Sequence, residues 1–78
     1  MDSITAALKQ FIENNIISNE VSIDEHTSLQ SIGVDSFSIV EIILFIERKF
    51  GLLLPDEKLV PETFASLDSL TQVIKALL

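Results

Sequence analysis

The chain has no cysteine, no tryptophan and no tyrosine, and only two glycines and two prolines in 78 residues. Without cysteine it can form no disulfide, offer no thiolate nucleophile of its own and build no zinc–thiolate site. Cations are scarce too: five Lys and Arg stand against twelve Asp and Glu, a net charge of −7. That balance speaks against a nucleic-acid partner, because phosphate binding needs clustered Lys and Arg, and against an anionic membrane surface. No apolar run reaches the roughly 18–20 residues of a membrane span. Acidic Asp2, with no basic stretch ahead of an apolar segment, is unlike a signal peptide, so a cytoplasmic location is expected. His26 is the only histidine and has no paired nucleophile near it in sequence; a solvated loop residue is its expected role.

What is abundant is apolar side chain, 47% of the residues, ample for a globular fold and unlike a disordered segment. Residues 1–78 read as one small domain without repeats, near the size where a single core barely suffices. Ile4, Leu8, Phe11, Ile12 and Ile16 follow helical spacing and predict a first helix over about 3–16. Residues 18–35 make a long connection anchored at Val21, Ile23, Leu29 and Ile32, with Thr27 able to cap a short turn. A two-stranded alternative through Val21-Ser22-Ile23 lacks a matching partner strand. A second helix is predicted over 36–50, stopped by Gly51, and a short helical turn over about 57–60, stopped by Pro61. The last helix starts after Ser66, with Asp68 in its first turn and a buried stripe of Leu67, Leu70, Val73, Ile74 and Leu77. The fold expected is all-α: a small antiparallel bundle of three main helices and one short one.

Ser36, in Gly33-Val34-Asp35-Ser36-Phe37, stands directly at the entrance of the second helix. Backbone N–H groups there lack intrahelical partners and lie at the positive end of the helix dipole, a natural seat for a phosphate ester. The plainer reading is that Asp35 or Ser36 is an N-cap, since both residue types cap well.

Gly-Val-Asp-Ser-Phe, the following Val40-Glu41, the Phe50-Gly51 stop and Leu54-Pro55-Asp56 together resemble the acyl carrier proteins over nearly the whole chain. A lone Asp-Ser carries no such signal, and it recurs at Asp68-Ser69 in the wrong surroundings. The resemblance implies that Ser36 receives 4′-phosphopantetheine from coenzyme A through a separate phosphopantetheinyl transferase, and that Asp35 contacts that transferase and its metal ion. It implies a non-catalytic carrier whose arm ends in a thiol that holds an acyl group as a thioester, so the missing cysteine is no obstacle. The partners implied are enzymes that load, transfer or condense the acyl group, met by a monomer.

Steps of about 100° from Ser36 place Ile39, Ile42, Ile43, Ile46 and Phe50 on the core side of the second helix, with Val40 and Glu47 on one flank. Phe37 and Leu44 fall off the core beside Glu41 and Arg48, and Phe45 lands on the polar face. Phe37, Glu41, Leu44 and Phe45 are therefore the candidate partner-binding residues. Fatty-acid carriers tend to have an acidic second helix. Here Glu41 and Glu47 are offset by Arg48 and Lys49, Ser38 stands where an acid is common, and Phe37 replaces the usual Leu or Met. These departures point to a dedicated carrier in a specialised fatty-acid or polyketide-type pathway. A peptidyl or amino-acyl carrier is the neighbouring alternative; Gly-Val-Asp-Ser, in place of that group's common Gly-Gly-His-Ser or Gly-Gly-Asp-Ser, tilts toward an acyl cargo. The stand-alone length suggests a discrete protein. The rival class is an unmodified helical interaction domain. An enzyme fits less well: Glu41 and Glu47 lie about 120° apart on the helix and do not converge, and no segment has an EF-hand pattern, so no metal site is expected.

Overall fold

The computed structural model describes residues 3–17 and 22–78, and Val21 and Ser18–Asn19 of the long connection lie outside them. Three α-helices carry the fold: α1 (Ser3–Asn15), α2 (Ser36–Phe50) and α3 (Leu67–Leu77), with 3-10 turns at Gln30–Ile32 and Asp56–Lys58. No strand occurs among the described residues, and Ser22 and Ile23 are not paired as one. The helices bury Leu8 and Ile12, Ile42 and Ile46, and Leu67, Leu70 and Ile74 around one core, sealed by Leu29 from the connection. α1 packs against both α3 and α2.

Local chemistry sets the ends. Gly51 adopts φ +66° and its N–H donates to the Glu47 carbonyl, closing α2 in the left-handed geometry that other residues enter only with strain. Ser66 caps α3 in a reciprocal box with Ser69: each backbone N–H donates to the other's hydroxyl, and the Ser69 hydroxyl also reaches the Thr63 carbonyl at 2.9 Å. The second Asp-Ser pair of the chain is thus a structural device. Leu77 is not in the buried stripe: as the last residue of α3 it is 36% exposed.

The connection is tied down by backbone rather than by a sheet. The Ile23 N–H donates to a Glu13 carboxylate oxygen, Leu29 N–H to the Ala65 carbonyl and Asp68 N–H to the Glu25 carbonyl. Thr27 does serve a turn, together with Asp24: the Asp24 N–H donates to the Thr27 hydroxyl, while Asp24 accepts from His26 N–H. The fourth segment differs from expectation. The 3-10 turn sits at Asp56–Lys58, earlier than 57–60, and Pro61 opens a second turn in which Phe64 N–H donates to its carbonyl. Proline lacks a donor but not an acceptor, so it can start a turn as readily as stop a helix.

Candidate functional site

Gly33, at φ +99°, ends the first 3-10 turn in a conformation that favours glycine and redirects the chain toward α2. Buried Val34 then pins the backbone to the core, and Asp35 is extended. An Asp35 carboxylate oxygen accepts from Ser38 N–H at 2.9 Å. Asp35 is therefore the N-cap and Ser36 the first helical residue, so of the two candidate caps it is Asp35 that serves. The hydrogen bonds from the Ser38 N–H and hydroxyl hold the Asp35 carboxyl below the usual carboxylate range, so the cap is anionic at neutral pH. With the cap supplied by its neighbour, the exposed Ser36 hydroxyl is free for chemistry at the positive end of α2.

Ser36 lies on the rim of an open groove of about 870 Å³ between the start of α2 and residues 59–65. Its floor is Ile39, Ile43 and Phe64, its far wall Leu59 and Val60, and Gln30 and Glu62 add polar edges. Ile39 and Ile43 were expected in the core stripe, and they are only half-buried because this groove opens over them. A slot with an apolar floor and a hydroxyl at its mouth suits a long, flexible arm fixed at one end.

Outside the groove, α2 presents Phe37, Val40 and Leu44, which are 74%, 54% and 45% exposed. These three form a stripe along one side of the helix, as the i, i+3, i+7 spacing requires. Val40 was placed on the flank of the core and missed as a member; its wheel position between Ser36 and Leu44 was the available signal. Glu41 is half-buried beside them. Phe45 does not belong to this face. Its ring stacks on Phe11 of α1 at a centroid distance of 4.2 Å and meets Phe50 edge-on at 6.4 Å, so an outward-facing position on α2 is covered by a neighbouring helix. His26 is exposed, with Nε2 3.7 Å from a Glu25 carboxylate oxygen. No cluster of metal-ligating side chains occurs among the described residues, and no helix there is long and apolar enough to cross a membrane.

The family model described as the phosphopantetheine attachment site matches residues 6–74. The chain belongs to this carrier-protein family. Its prosthetic group is accordingly a covalently attached 4′-phosphopantetheine, and carrier proteins of this kind are in general non-catalytic. Among curated relatives, aminoacyl carrier protein 2 of Bradyrhizobium diazoefficiens is 30% identical over 91% of this chain and 78% of its own length. An acyl carrier protein of Rickettsia bellii is 46% identical, but over only 50% of this chain and 44% of that protein. The fold is shared with the glycylated carrier protein solved in complex with Bradyrhizobium japonicum glycine:[carrier protein] ligase, at a TM-score of 0.73 and 24% identity over 90% of this chain and 92% of that one. The same carrier–ligase pair with an analogue of glycyl adenylate gives a TM-score of 0.76 at 23% identity, over 94% of this chain and 92% of that one. Two relatives matched over 91% of the chain are aminoacyl carriers, which favours the amino-acyl alternative over the acyl cargo inferred from Gly-Val-Asp-Ser.

Proposed function

We propose that this carrier holds an amino acid as a thioester on a 4′-phosphopantetheine arm attached to Ser36. The observation that carries the cargo is the similarity to aminoacyl carrier protein 2 over 91% of this chain; the acyl carrier match spans half the chain. Attachment at Ser36 is supported by its exposure, its place at the start of α2 and the groove beside it. In attachment the Ser36 oxygen bonds to the phosphorus that bears the pantetheine, the pyrophosphate bond of coenzyme A breaks, and 3′,5′-ADP leaves. Asp35 holds the helix entrance in place and offers its second carboxylate oxygen to the phosphopantetheinyl transferase and its metal ion. The helix N-terminus favours the phosphodiester that results. Once bound, the arm supplies the thiol that the chain itself lacks.

The loading partner is an ATP-dependent ligase that activates an amino acid and passes it to the arm; carriers that share this fold were solved with a glycine:[carrier protein] ligase, one of them glycylated. Phe37, Val40 and Leu44, with Glu41 at their edge, form its docking face, and Phe45 is withdrawn from that set because Phe11 covers it.

Intact-mass analysis after incubation with coenzyme A and a broad-specificity transferase tests attachment. One arm is expected on wild type and on Ser69→Ala, and none on Ser36→Ala. An arm on Ser36→Ala, or none on wild type, overturns the site. The cargo is tested by offering the arm-bearing protein a cognate ligase, ATP, and either a mixture of amino acids or a mixture of fatty acids. Loading by fatty acids alone overturns the amino-acyl reading and leaves attachment at Ser36 intact.

A further inference from the structure

A second hollow, of about 440 Å³, lies between α1 and α2 and shares no residue with the Ser36 groove. Its floor is the Phe11–Phe45 ring stack with Leu44, and its rim is Glu41, Arg48 and Lys49. At about 100° per residue, Phe45 sits roughly 160° around α2 from Ile43, so the two hollows occupy opposite sides of the same helix. A smaller hollow of about 230 Å³ continues it along α1, past the same two rings to Gln10 and Asn14.

Arg48 and Lys49 are two of only five cations in a chain of net charge −7, and they are adjacent in sequence. Both are exposed, and neither makes a salt bridge among the described residues. The macrodipole accounts for cations in the last turn of α2. It does not account for their position around the axis, where they fall about 60° and 40° to either side of Phe45 and so straddle the aromatic floor. An apolar floor between two free cations complements an apolar side chain flanked by carboxylates.

We propose that this hollow docks an acidic segment of a partner protein carrying one bulky apolar side chain, Leu or Phe, over the Phe11–Phe45 stack, with its carboxylates on Arg48 and Lys49. The polar extension past Gln10 and Asn14 gives an extended peptide room to continue. Because the site is on the far side of α2 from the groove, a protein bound here leaves the Ser36 groove open; it shares Leu44 and Glu41 with the proposed ligase face, so it and the ligase exclude each other.

The test is an NMR titration of the ¹⁵N-labelled full chain, with and without its arm, by an acetylated peptide Asp-Glu-Leu-Phe-Asp-Glu. Controls are the peptide with Leu and Phe replaced by Ser, and one with Lys at every acidic position. Saturable shifts are expected at Phe11, Phe45, Arg48 and Lys49 for the first peptide only, equal in both forms of the carrier and reduced at least tenfold in affinity by Arg48→Gln/Lys49→Gln. Shifts centred on Ile39 and Phe64, equal binding of the lysine peptide, or no saturation at millimolar peptide would overturn the proposal. So would tighter binding, through the same residues, to phosphatidylglycerol vesicles than to the peptide. Since the readout is on wild type in both forms, it is independent of whether Ser36 carries the arm.

Discussion

Thr5 and Thr71 are both buried, and their hydroxyls share a 2.7 Å hydrogen bond across the interface of α1 and α3. Each satisfies the other, so removing one strands its partner: Thr5→Val should cost about 1–3 kcal/mol, while Thr5→Val/Thr71→Val should lie close to wild type. Chemical denaturation of the three variants checks this, and additive losses would mean the pair does not interact. At the site, Asp35 acts through charge as well as geometry. Its carboxyl is held below the ordinary value of 3.8, chiefly by the Ser38 N–H, and that of Asp24 likewise, chiefly by the His26 N–H. A lowered folded-state value means that stability is fully present above the ordinary value and is lost as pH falls through the lowered one. Asn caps as well as Asp but does not titrate. Asp35→Asn should therefore keep the neutral-pH melting temperature and shrink its acid decline below about pH 4. A melting profile by circular dichroism that declines as steeply as wild type would remove Asp35 from the account. Ser36→Ala, which leaves the cap in place, should change stability by under about 0.5 kcal/mol.

Among the elements, α2 was the most legible in sequence, to both of its ends, because its cap and its stop are local: Asp35 before it and Gly51 after it need no tertiary partner. The same holds for Ser66 at α3. What the sequence hid depends on neighbours. Phe45 looks exposed on a helical wheel, and only the course of α1 brings Phe11 over it. Thr5 falls on the buried side of α1 but reads as polar until Thr71 is known to face it. Half-burial of Ile39 and Ile43 follows from where residues 59–65 run, a path set by two turns that the sequence placed imperfectly. The two assignments on α2 can be separated in one experiment. Leu44→Ser should change stability by under about 0.5 kcal/mol yet slow loading by the ligase, since apolar anchors carry much of an interface's energy. Phe45→Ala should cost roughly 1–3 kcal/mol, the ring pair plus partial burial, and should leave loading by the folded fraction unchanged. Denaturation midpoints and loading rates on the same samples decide it, and the reverse pattern would exchange the two residues' roles.

Over the whole molecule, charge is distributed away from the proposed docking face. Within α2, Glu41 and Glu47 balance Arg48 and Lys49; Asp35 brings the segment to −1, so −6 of the total −7 lies elsewhere. Part of it is Asp56, Glu57 and Glu62, all exposed on the stretch that includes the outer wall of the groove. If the ligase seats on Phe37, Val40 and Leu44, its affinity rests on apolar burial, and exposed charges contribute little once salt screens them beyond about 8 Å. Affinity should then fall by less than about threefold between roughly 20 and 150 mM salt, measured by titration calorimetry with the arm-bearing carrier. A steeper fall would place the acidic stretch in the interface. In that case Asp56→Asn/Glu57→Gln/Glu62→Gln should flatten the salt dependence while Leu44→Ser leaves its slope unchanged, and the docking surface would wrap from α2 across the mouth of the groove.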